Sequence, residues 1–65
     1  MGTNIIEKIE AGDLMIHVAK ISSGFSVVFE DIDSGEFLSG GRIFKTLPQA
    51  MEYAREQEAE IKRFI

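Results

Sequence analysis

Phe44-Lys45-Thr46-Leu47-Pro48-Gln49-Ala50-Met51-Glu52-Tyr53-Ala54 is the stretch whose reading decides the fold, because it starts a helix. Thr46 suits the N-cap: its hydroxyl can accept a hydrogen bond from an N–H otherwise orphaned in the first turn. Gln49, three residues on, can reach back as the second half of a capping box. Pro48 falls in the first turn, where its missing N–H costs nothing. Leu47, Ala50, Met51, Ala54, Ile61, Phe64 and Ile65 then recur at helical spacing and form one apolar stripe. Such a stripe needs a surface to lie on, and the residues before it supply one.

Working back from Thr46, Glu36 to Lys45 reads as a strand broken by Ser39-Gly40-Gly41, where adjacent glycines predict a bulge or a bend. Asp33-Ser34-Gly35 is a turn. Phe25 to Ile32 is a strand with Phe25, Val27 and Phe29 on one face and Ser26, Val28, Glu30 and Ile32 on the other. Ser22-Ser23-Gly24 turns into it from a strand over Leu14–Ile21. There Leu14, Ile16 and Val18 oppose Met15, His17, Ala19 and Ile21. Asn4 to Glu10 has two solutions. As a short helix it carries a capping box, Asn4 with Glu7, and stops at Gly12. As a strand it puts Ile5 and Ile9 on one face and turns at Ala11-Gly12-Asp13. The strand is favoured, because the later turns repeat that spacing. Met1-Gly2-Thr3 is expected to be a frayed end.

The expected fold class is α+β: an antiparallel meander of three or four strands with one C-terminal helix packed on one face, as a single small domain over residues 1–65. Phe25, Val27, Phe29 and Phe44 should meet the helix. The opposite face keeps apolar residues too, with Val28, Ile32 and Ile43 beside Met15 and Ile21. One helix cannot cover both faces, so Val28, Ile32 and Ile43 are interface candidates and a homodimer is expected.

Composition narrows the function. A 65-residue chain buries only ~60 % of its unfolded surface. It has no cysteine, so disulfides and thiolate metal sites are excluded and oligomerisation is the common remaining remedy. The missing cysteines, the lack of a secretory leader and apolar runs too short for a bilayer point to a cytoplasmic protein with no membrane contact. Eleven acidic residues against seven basic give a net charge of −4, which weighs against a broad nucleic-acid patch and is compatible with a basic protein partner.

No constellation for catalysis stands out. His17 is the only histidine, without a placeable partner, and is read as a half-exposed sheet residue. Asp31 and Asp33, with Glu30 and Glu36, could bind a hard cation, but no calcium-loop spacing is present and a solvated acidic turn is the plainer reading. Gly40-Gly41-Arg42 neither follows a phosphate-loop pattern nor opens a helix. No catalytic residue, cofactor or metal is therefore expected. On the helix, Glu52 with Glu56 and Glu56 with Glu60 repel at i,i+4, while Glu58 with Lys62 attract. Glu52, Glu56 and Glu60 are candidates for contact with a basic partner, although a solvated outer face also explains them. Lys62 and Arg63 suit the negative end of the helix dipole.

From Ile16 to Ile61 the chain resembles the HicB-like family, the antitoxin halves of bacterial toxin–antitoxin pairs. The resemblance rests on Lys20-Ile21-Ser22-Ser23-Gly24-Phe25-Ser26-Val27-Val28-Phe29-Glu30-Asp31 and on Lys45 to Ala54. Gly24-Phe25, Val27, Phe29 and Asp31 match the family's strand, and Thr46 and Ala50 its helix start. Glu30 replaces the usual proline, and Pro48-Gln49 a glutamate pair. The resemblance implies a non-enzymatic, antitoxin-like protein-binding domain on a fold similar to a cut-down ribonuclease H core. Members usually continue into a DNA-binding segment, so with the sequence ending at Ile65 operator binding is not carried over.

Two alternatives belong to other classes. One is a nucleic-acid-binding sheet-plus-helix module, similar to small phage integrase domains, with Lys20, Arg42 and Lys45 as its phosphate contacts; the acidic balance speaks against it. The other is a phage-type acidic inhibitor of a host nucleic-acid enzyme.

Overall fold

The computed structural model describes residues 4–38 and 40–64. Met1-Gly2-Thr3, Ser39 and Ile65 lie outside them, and with these the expected frayed end, part of the glycine break and the last stripe position. The chain runs β1 (Asn4–Ala11), β2 (Leu14–Ile21), β3 (Gly24–Asp31), β4 (Arg42–Phe44) and α1 (Leu47–Arg63). The strands form one antiparallel sheet in the order β1-β2-β3-β4, and α1 lies across one face. Asn4–Glu10 is thus strand, and the alternative helix does not form.

Ile16 pairs with Phe29 and Val18 with Val27, so these four residues share a face. Ile9 joins them opposite Ile16, and Ala11 opposite Leu14. Ile9, Ala11, Ile16, Val18 and Val27 are buried with Ala50 and Ala54 of α1. Phe25, Phe29, Phe44, Leu47, Met51, Tyr53 and Ile61 pack around them. The two alanines facing the sheet let the helix backbone approach closely. Thr46 takes an extended conformation and accepts from the Gln49 N–H at 3.4 Å, and Pro48 occupies the first turn. Phe64, expected in the apolar stripe, is 83 % exposed instead, because α1 stops at Arg63 and Phe64 is its C-cap.

Three expectations about the strands are corrected. Ile5 and Ile9 do not share a face. Ile5 pairs with Ala19 and Glu7 with Val18, which leaves Ile6 without a partner in a bulge. One extra residue reverses the alternation, so Ile9 enters the core while Ile5 turns to the other side. The segment Glu36–Lys45 is not a continuous strand. Phe37 bridges Glu30 and β4 resumes only at Arg42, opposite Val27. Five steps along one side face three on the other, and Gly40 absorbs the excess at φ +96°. Gly41 lies so close that a Cβ would stand 2.9 Å from Val28 Cγ1. The expected bend at the glycines is therefore present. β3 ends at Asp31, so Ile32 belongs to the following turn, where its N–H donates to the Asp13 carbonyl at 3.0 Å.

Candidate functional site: the helix-free face of the sheet

The face away from α1 is defined by the pairing. Met15 lies between Glu10 and Glu30, and Phe37 lies beyond Glu30. In the next row Lys8, His17 and Val28 stand side by side. A third row holds Ile5, Ala19, Ser26 and Ile43. Of the sequence-based interface candidates, Val28 and Ile43 come together here. Ile32 does not join them as a strand residue, because it lies in the turn.

His17 is the centre of this face, and it is not half-exposed as expected: only 6 % of it reaches solvent. The Phe37 ring covers it, with ring centroids 5.4 Å apart. Phe37 is placed there by the Glu30–Phe37 bridge and by the Leu38 N–H bonding to the Phe29 carbonyl at 2.8 Å. His17 Nε2 lies 2.8 Å from Glu30 Oε1, so the buried ring is anchored by a partly shielded carboxylate. Its Nδ1 is buried, with no hydrogen-bond partner among the described residues. Around the ring a cleft of about 230 Å³ is lined by Ile5, His17, Ala19, Ser26, Val28 and Phe37. Two of its apolar lining residues are exposed, Phe37 at 62 % and Ile5 at 49 %, and Ile43, paired with Ser26 beside it, is 62 % exposed.

The acidic turn forms an ordinary local structure. Asp31 Oδ1 accepts from the Asp33 N–H at 3.0 Å, and the Gly35 N–H donates to the Asp31 carbonyl at 2.7 Å. Glu30 is turned to His17. Among the described residues no group of three or more acids and histidines is placed to hold a metal ion.

The cation candidates do not gather on the helix-free face. Lys20 Nζ sits 5.1 Å from the Phe25 ring and the Arg42 guanidinium 5.4 Å from the Tyr53 ring, both on the helix side. The acidic candidates on α1 separate as well. Glu60 pairs with Arg63 at 3.1 Å, while Glu52 and Glu56 have no ion-pair partner among the described residues. Glu58 accepts from Lys62 Nζ at 2.8 Å, and that bond, with the charges of Lys62 and Arg55, holds its carboxyl below the usual range. Ile5 and Phe37 were not found by sequence reasoning. Strict alternation put Ile5 with Ile9, and Phe37 had no assigned partner.

No family model, curated protein or solved structure matches the chain. Among the described residues no helix is long and apolar enough to cross a membrane.

Proposed function

We propose that this chain is a small non-enzymatic protein-binding domain that pairs with a second copy through the helix-free face of its sheet. The observation that carries the proposal is the exposure of Ile5, Phe37 and Ile43 together on one side of a sheet whose helix, the only one among the described residues, lies on the other. The competing way to shield that side, a helix over Asn4–Glu10, is removed because those residues are β1. Clustered apolar side chains around a cleft favour association, since each contact removes them from water. Strands ~4.8 Å apart and ~3.3 Å per residue give a face on the order of 400 Å² per copy. Two such faces bury on the order of 800 Å², below the ~1,200 Å² at which stable specific interfaces begin, so the pairing is weak and concentration-dependent.

A HicB-like role would add a small toxin as a second partner. Sheet-face binding of nucleic acid has less to support it, because that face offers Lys8 against Glu10 and Glu30. Sedimentation equilibrium over the micromolar to millimolar range tests the proposal. A dimer mass that Ile43→Glu reduces to monomer, with the far-UV spectrum kept, supports it; a monomer throughout contradicts it.

A further inference from the structure

A second surface lies between α1 and β4, on the other side of the sheet from the proposed pairing face. A groove of about 280 Å³ is lined by Phe44, Gln49, Glu52, Tyr53 and Glu56. Its aromatic floor is built by Phe44 and Tyr53, whose centroids are 5.3 Å apart. Gln49, Glu52, Tyr53 and Glu56 recur on one side of α1 at helical spacing, and of these Glu52 and Glu56 make the acidic rim.

The charges on α1 are unevenly satisfied. Glu58 is paired with Lys62 and Arg55, and Glu60 with Arg63. Glu52 and Glu56 stand one turn apart and repel, which makes the helix less stable, and among the described residues no cation compensates them. Arg42, the nearest basic residue on β4, rests its guanidinium against Tyr53 instead of pairing with either carboxylate. That contact is a guanidinium lying over one of the two groove aromatics, although Arg42 itself does not line the groove. β4 is also the last strand of the sheet, so among the described residues its outer edge carries no neighbouring strand. An extended segment can lie along such an edge, with every second side chain turned to the helix side.

We propose that this groove takes a basic, extended segment of another protein, with an arginine or lysine side chain over Phe44 and Tyr53 and its charge between Glu52 and Glu56. The stem of such a side chain covers the aromatic floor while its head reaches the carboxylates. The proposal extends the protein-binding reading to a different partner and does not depend on pairing of copies.

The probe is a fluorescein-labelled octapeptide of alternating arginine and threonine, titrated by anisotropy at low salt against a peptide with glutamate for arginine. The arginine peptide should bind, and Glu52→Gln/Glu56→Gln should weaken it about tenfold, as two lost exposed ion pairs allow. Glu10→Gln/Glu36→Gln removes the same charge elsewhere and should change the affinity less than ~twofold. Equal weakening by both pairs shows general attraction to an acidic protein and overturns the proposal, as does binding no tighter than that of the glutamate peptide. Ile5→Glu, on the opposite edge strand, separates paired copies without touching the groove. Unchanged peptide affinity in that variant keeps the two proposals distinct, and lost affinity overturns the groove's independence.

Discussion

The two faces of the sheet are made from the same three long strands, yet they are finished differently. On the helix side, Ile16, Val18 and Val27 are completely buried beneath Ala50 and Ala54. On the other side, His17 and Ala19 are buried at the centre while Ile5, Phe37 and Ile43 at the rim stay in water. A helix covers a face with one long element whose periodicity is independent of the sheet. Among the described residues the helix-free face is covered by the ring of Phe37, brought over by a short bridge at the sheet edge. The first device completes a core; the second closes over one histidine and leaves its surroundings open.

The largest expected effect lies on the helix side. Ile16→Ala should cost ~2–5 kcal/mol, which approaches the whole stability of so small a domain. Denaturant titration reads it, and a loss below ~1 kcal/mol would break the assignment of that face as the core. The counterpart on the open side is smaller. Glu30→Ala leaves the His17 ring without its only bonded partner among the described residues, at a cost of ~1–3 kcal/mol. A variant as stable as the parent would show that the bond at 2.8 Å contributes nothing net.

Thr46→Ala tests how firmly the covering helix is started, and should cost ~1 kcal/mol in a thermal or denaturant melt. An unchanged melt would mean that packing alone fixes the helix start. The smallest effect concerns the outer surface of α1. Because the Glu58 carboxyl is depressed in the folded state, its pairing stabilises the protein above the unfolded carboxylate value, and this is lost as the pH falls through the folded one. Lys62→Met should therefore raise the Glu58 value in an NMR titration, and the melting difference from the parent should shrink on acidification. An unmoved Glu58 titration would remove Lys62 as the cause.

The contrast also explains what was legible in the sequence. Leu47, Ala50, Met51 and Ala54 announce a helix face by spacing, and Thr46 with Pro48 fixes where it starts, so these helix residues could be read from the sequence, whereas the exposure of Phe64 and the placing of Ile9 in the core could not. Val28 and Ile43 followed from alternation within single strands. Ile5 did not, because the bulge at Ile6 reverses the alternation and no residue type there signals it. Phe37 and the burial of His17 depend on how far the chain slips at Gly40-Gly41 before pairing resumes at Arg42. That offset is a property of two strands together, so neither strand's own pattern contains it. Among the helix acids, spacing located Glu52, Glu56 and Glu60 alike, whereas only side-chain placement separates paired Glu60 from the other two.

The measurement that tests the central claim most directly is an isotope-filtered NOE experiment on an equimolar mixture of labelled and unlabelled chain at near-millimolar concentration. If the helix-free face pairs with its copy, intermolecular contacts will connect the Ile5 and Ile43 methyls and the Phe37 ring, while Ala50 and Ala54 show none. Intermolecular contacts confined to α1, or none at all, would contradict it.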